Sequence, residues 1–107
     1  MQFKREMVEL VLSGKKTQTR RLKPPRHKVG SIQPVQCGYR DKARAHIRIL
    51  DVRRQRLGDV THAEADAEGF ISPLAFVGYL LDINKAGTIE PDTILTVYEF
   101  ELVEETT

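Results

Sequence analysis

The chain is poor in the residues that build several common kinds of functional site. It has one cysteine, no tryptophan, three tyrosines and four phenylalanines among its 107 residues. A single cysteine, Cys37, excludes an internal disulfide and suits a reducing compartment. It has no histidine or basic helix end nearby in sequence to activate it, so it reads as a small buried residue. No apolar run approaches the length of a membrane-spanning helix, and no signal-type apolar stretch follows the N-terminus, so a cytoplasmic protein without a membrane partner is expected. His27, His46 and His62 stand at no metal-ligand spacing from one another or from Cys37, and no metal site is expected. No glycine-rich loop opens a helix in the manner of a nucleotide-phosphate cradle.

What is present suits one domain, 1–107. Hydrophobic residues make up 40% and charged residues 30%, which separates the chain from disordered sequences. At this length roughly 60–65% of the unfolded surface can be buried without covalent staples. Net charge is only +2, yet it is unevenly spread. From Lys15 to Arg56 fourteen lysines and arginines face two acids, Asp41 and Asp51, whereas from Asp59 onward Lys85 alone faces eleven acids. That asymmetry predicts a basic face able to contact RNA. The bland alternative is that basic strands and acidic helices face water on different sides.

Phe3, Met7, Leu10 and Val11 recur at helical spacing, predicting a helix from about Lys4 to Ser13 that Gly14 ends. Thr17 to Leu22 reads as extended until Pro24-Pro25 stops it. A basic loop to Gly30 follows, then a strand from Ser31 to Cys37 whose Pro34 confines it to an edge, and a connection at Gly38–Asp41. Ala43 to Leu57 carries the clearest strand alternation, with Ile47 and Ile49 inward and Arg44, His46 and Arg48 outward. Its parity changes near Leu50-Asp51-Val52, predicting a bulge. Thr61 and Glu64 form a capping-box pattern for a short helix ending at Gly69. Ser72-Pro73 opens another helix, with Leu74, Val77, Leu80 and Leu81 as its apolar face and Gly87 as its end. Thr93 to Val103 is a strand long enough to be central. This order argues for an α+β fold, a small mixed or antiparallel barrel packed by helices.

The densest chemistry lies in Gly14-Lys15-Lys16-Thr17-Gln18-Thr19-Arg20-Arg21, where a helix stop, four basic side chains and two hydroxyls meet a change of backbone geometry. If the strand is regular, Thr19 and Arg21 share one face and Arg20 points away into the basic surface. Lys16 reaches the Thr19 face only if the backbone is still turning there. Glu68, between Ala67 and Gly69 and before Phe70, is a carboxylate at a helix end that could be partly buried. Phe70, Phe76 and Tyr39 are the aromatic candidates for stacking on a base.

Gly14, Lys16, Thr19 and Arg21 occupy the spacing G-x-K-x-x-E-x-R, with Thr19 in place of the glutamate. The chain thereby resembles the ASCH domain family, whose fold is PUA-like. The threonine form is similar to the small bacterial and phage amidohydrolases of that family, which remove acyl groups from N4-acylated cytidines such as N4-acetylcytidine. The resemblance implies catalytic roles for Lys16, Thr19 and Glu68, no cofactor, and a small-molecule substrate. Arg21, Arg20, Tyr39 and Phe70 are then the substrate-binding candidates. In one scheme Lys16 deprotonates Thr19, Thr19 attacks the acyl carbon, and Glu68 passes a proton to the leaving exocyclic nitrogen. In another, Thr19 donates to the oxyanion and Glu68 activates water. The competing class is an RNA-binding PUA-like module without chemistry; its weakness is that Tyr39 is the one aromatic residue between Lys15 and Arg56.

Overall fold

The alternation around Ile47 and Ile49 builds the sheet on which everything else is laid. A computed structural model describes residues 1–38, 40–84 and 87–104. The elements run α1 (Arg5–Leu12), β1 (Gln18–Arg21), β2 (Ile32–Val35), β3 (Ala45–Arg56), α2 (His62–Ala67), α3 (Pro73–Ile83) and β4 (Ile94–Leu102), with a single 3-10 turn at Leu57–Asp59. The strands form one antiparallel sheet in the order β1-β4-β3-β2, curled into a half-barrel, so the expected α+β class and helix-packed small barrel hold. The parallel contribution is an isolated bridge between Gln2 and Gln36, through which the N-terminal segment extends the β2 edge. From there Gln2 reaches across to β1, its carbonyl accepting a hydrogen bond from Arg21 Nη2 at 2.8 Å. The register of β3 against β4 shifts between Ile49 and Asp51, where the parity change predicted a bulge. Pro34 lies in edge strand β2, as its missing donor requires.

The two ends of β4 bury opposite faces, which explains why it is apolar on both parities. Tyr98 and Phe100 pack with Phe3, Met7, Val8 and Val11 of the N-terminal segment and α1, over Val35, Ile47 and Ile49. Leu95, on the other parity, packs with Leu57, Val60, Ala65, Phe76 and Leu80 beneath α2 and α3. Each fully buried aliphatic or aromatic side chain contributes about 1.5–3 kcal/mol, so these two clusters are the main source of stability.

Three sequence expectations are corrected. Leu74 and Leu81 of α3 are exposed; of the expected face Leu80 is buried, and Phe76 joins it. The helix rests on the sheet by a narrower stripe than its composition allows. Cys37 is exposed, because it follows Gln36, the last residue bridged to the N-terminal segment. The helix ends at Ile83, capped by Asn84, ahead of Gly87. Among the described residues no helix is long and apolar enough to cross a membrane.

Both helices flanking the key strand end on glycines in the left-handed region, Gly14 at φ 80° and Gly69 at φ 97°. After α2, Gly69 N donates to Asp66 O and Phe70 N to Ala65 O, the paired bonds of a Schellman ending with Glu68 as its C-cap. A Cβ on Gly69 would stand 2.7 Å from Leu10 Cδ1, whereas one on Gly14 would meet nothing within 4 Å. Gly69→Ala is therefore expected to destabilise the fold by more than about 1 kcal/mol. Gly14→Ala should cost less, as read by the shift of the urea midpoint.

Candidate active site

The backbone brings the basic motif and Glu68 together before any side chain is considered. Lys16 N donates to Leu10 O in the last turn of α1, and Thr17 N donates to Ala67 O at the end of α2, at 2.8 Å. Thr17 O in turn accepts from Phe100 N of β4. Residues 14–17 are thus pinned among two helix ends and the central strand, with Glu68 one residue beyond the Ala67 anchor. Lys16 lies before the first regular strand residue, Gln18, so its side chain is free of strand alternation and enters the cavity that Thr19 also lines.

Lys16, Arg20 and Glu68 form a buried charge cluster. Their exposures are 3%, 4% and 2%. Lys16 Nζ donates to Glu68 Oε1 at 2.8 Å and to Glu68 O at 2.9 Å. Arg20 Nη1 donates to Glu68 Oε2 at 3.0 Å, so each carboxylate oxygen carries one cation. Burial lowers the Lys16 pKa; attraction to Glu68 opposes this, and the charges of Arg21 and Arg20 reinforce it.

Arg20 does not point into a solvated basic surface. Strand β1 is covered on both faces, and the Arg20 face carries Arg53 and Gln55 of β3 in register across Val97 and Leu95 of β4. Arg20 Nη2 donates to Glu64 Oε2 at 2.7 Å and its Nε to Gln55 Oε1 at 2.9 Å. Partial burial disfavours the Glu64 carboxylate, but hydrogen bonds from Gln55 and Thr61 and the Arg20 charge outweigh it and hold its pKa down to about 2. The sequence reading took Glu64 for a helix cap alone and missed its second role, as it missed Gln55. The cap itself is present, with Thr61 Oγ1 accepting from Glu64 N and Glu64 Oε1 from Thr61 N.

Thr19 and Arg21 lie on the other face, as strand geometry requires. Arg21 Nε donates to Thr19 Oγ1 at 3.1 Å, and the guanidinium stacks 4.9 Å from the centre of the Phe3 ring. Lys16, Thr19, Arg20, Arg21 and Glu68 all line one cavity of about 490 Å³, whose apolar walls include Phe3, Phe76 and Tyr79. Such a volume lies within the range of small-molecule sites. Phe70 is not part of this lining; it packs behind, with ring centroids 5.6 Å from Phe76 and 5.0 Å from Tyr79. Tyr39 lies outside the described residues. Among the described residues no three histidine, cysteine or acidic side chains are grouped as a metal would require.

A half-barrel of antiparallel strands closed by helices, with a charged cavity between the first strand and the end of the second helix, defines a PUA-like α+β domain. The chain belongs to the ASCH domain family, whose family model matches residues 1–104. Solved structures agree on the fold. The ASCH domain from Lactobacillus crispatus JV V101 superposes with a TM-score of 0.73 at 20% identity, over 91% of this chain and 70% of that one. A protein from Enterococcus faecalis V583 gives 0.72 at 23% identity, over 92% and 67%. The ASCH protein from Zymomonas mobilis gives 0.67 at 15% identity, over 95% and 67%. No curated protein matches the sequence significantly.

Because Glu68 compensates two buried cations, Glu68→Ala should destabilise the fold by about 3–5 kcal/mol in urea unfolding. Lys16→Met should cost markedly less. It removes a desolvated ammonium and leaves Glu68 paired with Arg20.

Proposed function

We propose that this cavity hydrolyses the acyl–nitrogen bond of N4-acylated cytidines, N4-acetylcytidine being the reference substrate. The observation that carries the reading is the buried hydrogen bond between Lys16 Nζ and Glu68 Oε1, on the wall of the cavity that Thr19 lines. Moving one proton across that 2.8 Å contact turns an ammonium–carboxylate pair into an amine and a carboxylic acid. Those are the base and the acid that amide hydrolysis needs, and burial disfavours the Lys16 ammonium.

In this scheme the free amine of Lys16 takes the Thr19 proton while Thr19 Oγ1 bonds to the acyl carbon. The carbon–nitrogen bond then breaks, and protonated Glu68 delivers its proton to the exocyclic nitrogen of cytidine. Water, activated by the Glu68 carboxylate, adds to the acyl-threonine. The Oγ1–carbon bond breaks, Thr19 regains a proton from Lys16, and the carboxylic acid leaves. Arg21, donating to Thr19 Oγ1, favours the alkoxide character that the attack develops. Phe76 and Tyr79 supply the apolar walls for the pyrimidine, in place of Phe70.

The reading as a binding module without chemistry is weakened by how the arginines of β3 are used. Arg48 pairs with Glu101, Arg53 with Asp51 and Glu64, and Arg56 with Asp92, while Arg44 just before the strand pairs with Glu9. Four of the five arginines from Arg44 to Arg56 are thereby engaged with carboxylates of the same chain, Arg54 being the exception among the described residues.

Purified protein is expected to release cytidine and acetate from N4-acetylcytidine, followed by chromatography. Lys16→Met and Thr19→Val, each verified as folded by circular dichroism, should lower kcat/KM by about 10²-fold or more. Absence of turnover by the wild type would overturn the assignment. Near-normal turnover by Thr19→Val would remove that residue from the chemistry.

A further inference from the structure

A second cavity, of about 510 Å³, adjoins the first, with Gln2 and Arg21 lining both. Its character is different. Arg21, Lys23, Arg26 and His27 line it, and no aspartate or glutamate does. The loop that presents these groups is tied to the buried face of β4: Thr96 Oγ1 donates to Lys23 O at 2.6 Å, and Arg26 N donates to the Tyr98 hydroxyl at 2.9 Å. The His27 ring packs edge-on against Tyr98 with centroids 5.5 Å apart. The cations are therefore carried on a backbone fixed by the central strand.

Their charge is also uncompensated. Arg20 and four other arginines, at 44, 48, 53 and 56, are each paired with a carboxylate. Among the described residues none is paired with Lys23 or Arg26. A concave site with one sign of charge focuses its field on an anion, and the ligand geometry of arginine suits phosphate oxygens. The single tyrosine ring is covered by His27 and engaged through its hydroxyl, which leaves no open aromatic platform for a second base.

We propose that this second cavity binds a phosphate ester carried on the sugar of a cytidine whose base occupies the first. Arg21 is the shared wall between base and phosphate. The proposal rests on the reading of the first cavity as a cytosine site, and it makes a phosphorylated cytidine a better ligand than the free nucleoside.

The test uses unacylated ligands, so it needs no turnover. Cytidine, cytidine 5′-monophosphate and cytidine 3′-monophosphate are titrated into the full chain by calorimetry at low salt. At least one monophosphate should bind about tenfold or more tightly than cytidine, an advantage that shrinks as salt is raised. The double variant Lys23→Gln/Arg26→Gln should lose that advantage. Lys28→Gln, on an exposed residue lining neither cavity, should keep it. Equal affinity for all three ligands, binding of none, or an advantage that survives the double variant would overturn the proposal. A further arm with tricytidylate separates the sources. Affinity equal to the monophosphate assigns a mononucleotide, and higher affinity that is also lost in the double variant assigns a phosphate within an RNA strand. If the monophosphate is preferred but N4-acetylcytidine is not hydrolysed, the phosphate site stands and the amidohydrolase reading falls.

Discussion

The Glu68 carboxylate, buried between Lys16 and Arg20, is the constraint on which the site depends. Two cations and one anion removed from water would be strongly unfavourable in isolation. The cluster persists because it extends to Glu64, which balances the second cation and is itself held by Gln55 and Thr61. The backbone contact from Thr17 N to Ala67 O sets the separation, and the left-handed Gly69 turns the chain away after Glu68. Strand β1, α2 and β3 are thus fastened by polar contacts between the two apolar clusters. A pair held this way is well suited to chemistry: the lysine is kept from water, and its partner can exchange a proton with it.

The same pairing accounts for the uneven charge along the chain. A basic first half and an acidic second half look like two separate surfaces when read linearly. In the fold β3 lies beside β4 and α2, and opposite charges meet across the sheet. Of the cations left without a carboxylate among the described residues, Lys23 and Arg26 sit on the loop after β1 and line a cavity, whereas others such as Arg54 lie exposed elsewhere on the surface.

The elements whose signals are local were legible from the residues. The stops at Gly14 and Gly69, the capping box at Thr61, Ser72-Pro73, the edge proline and the bulge near Asp51 all depend on neighbours in sequence. Thr19 and Arg21 were placed on one face by strand parity alone. Arg20 was misplaced because parity says which face a residue takes, not what covers that face; α2 covers it, and that is a contact across 44 residues or more. The exposed Leu74 and Leu81 fail for a related reason, since composition sets how much of a helix can be buried and packing decides how much is. Local pattern marked Glu68 as a carboxylate able to be partly buried at a helix end, and the resemblance grouped it with Lys16; nothing local marks that it also receives Arg20 from a distant strand.

The central claim is that the active form carries one proton shared between Lys16 and Glu68. Its most direct test is the dependence of kcat/KM for N4-acetylcytidine on pH, in the wild type and in Arg21→Gln. Loss of the shared proton on the alkaline side removes the acid, so activity should fall through a limb set below the ordinary lysine range, because burial and the Arg21 and Arg20 charges lower the Lys16 pKa. Removing the Arg21 charge relieves part of that lowering, and the limb should move to higher pH whatever the loss in absolute rate. A rate that climbs steadily through this range, or a limb that stays in place in Arg21→Gln, would contradict the account.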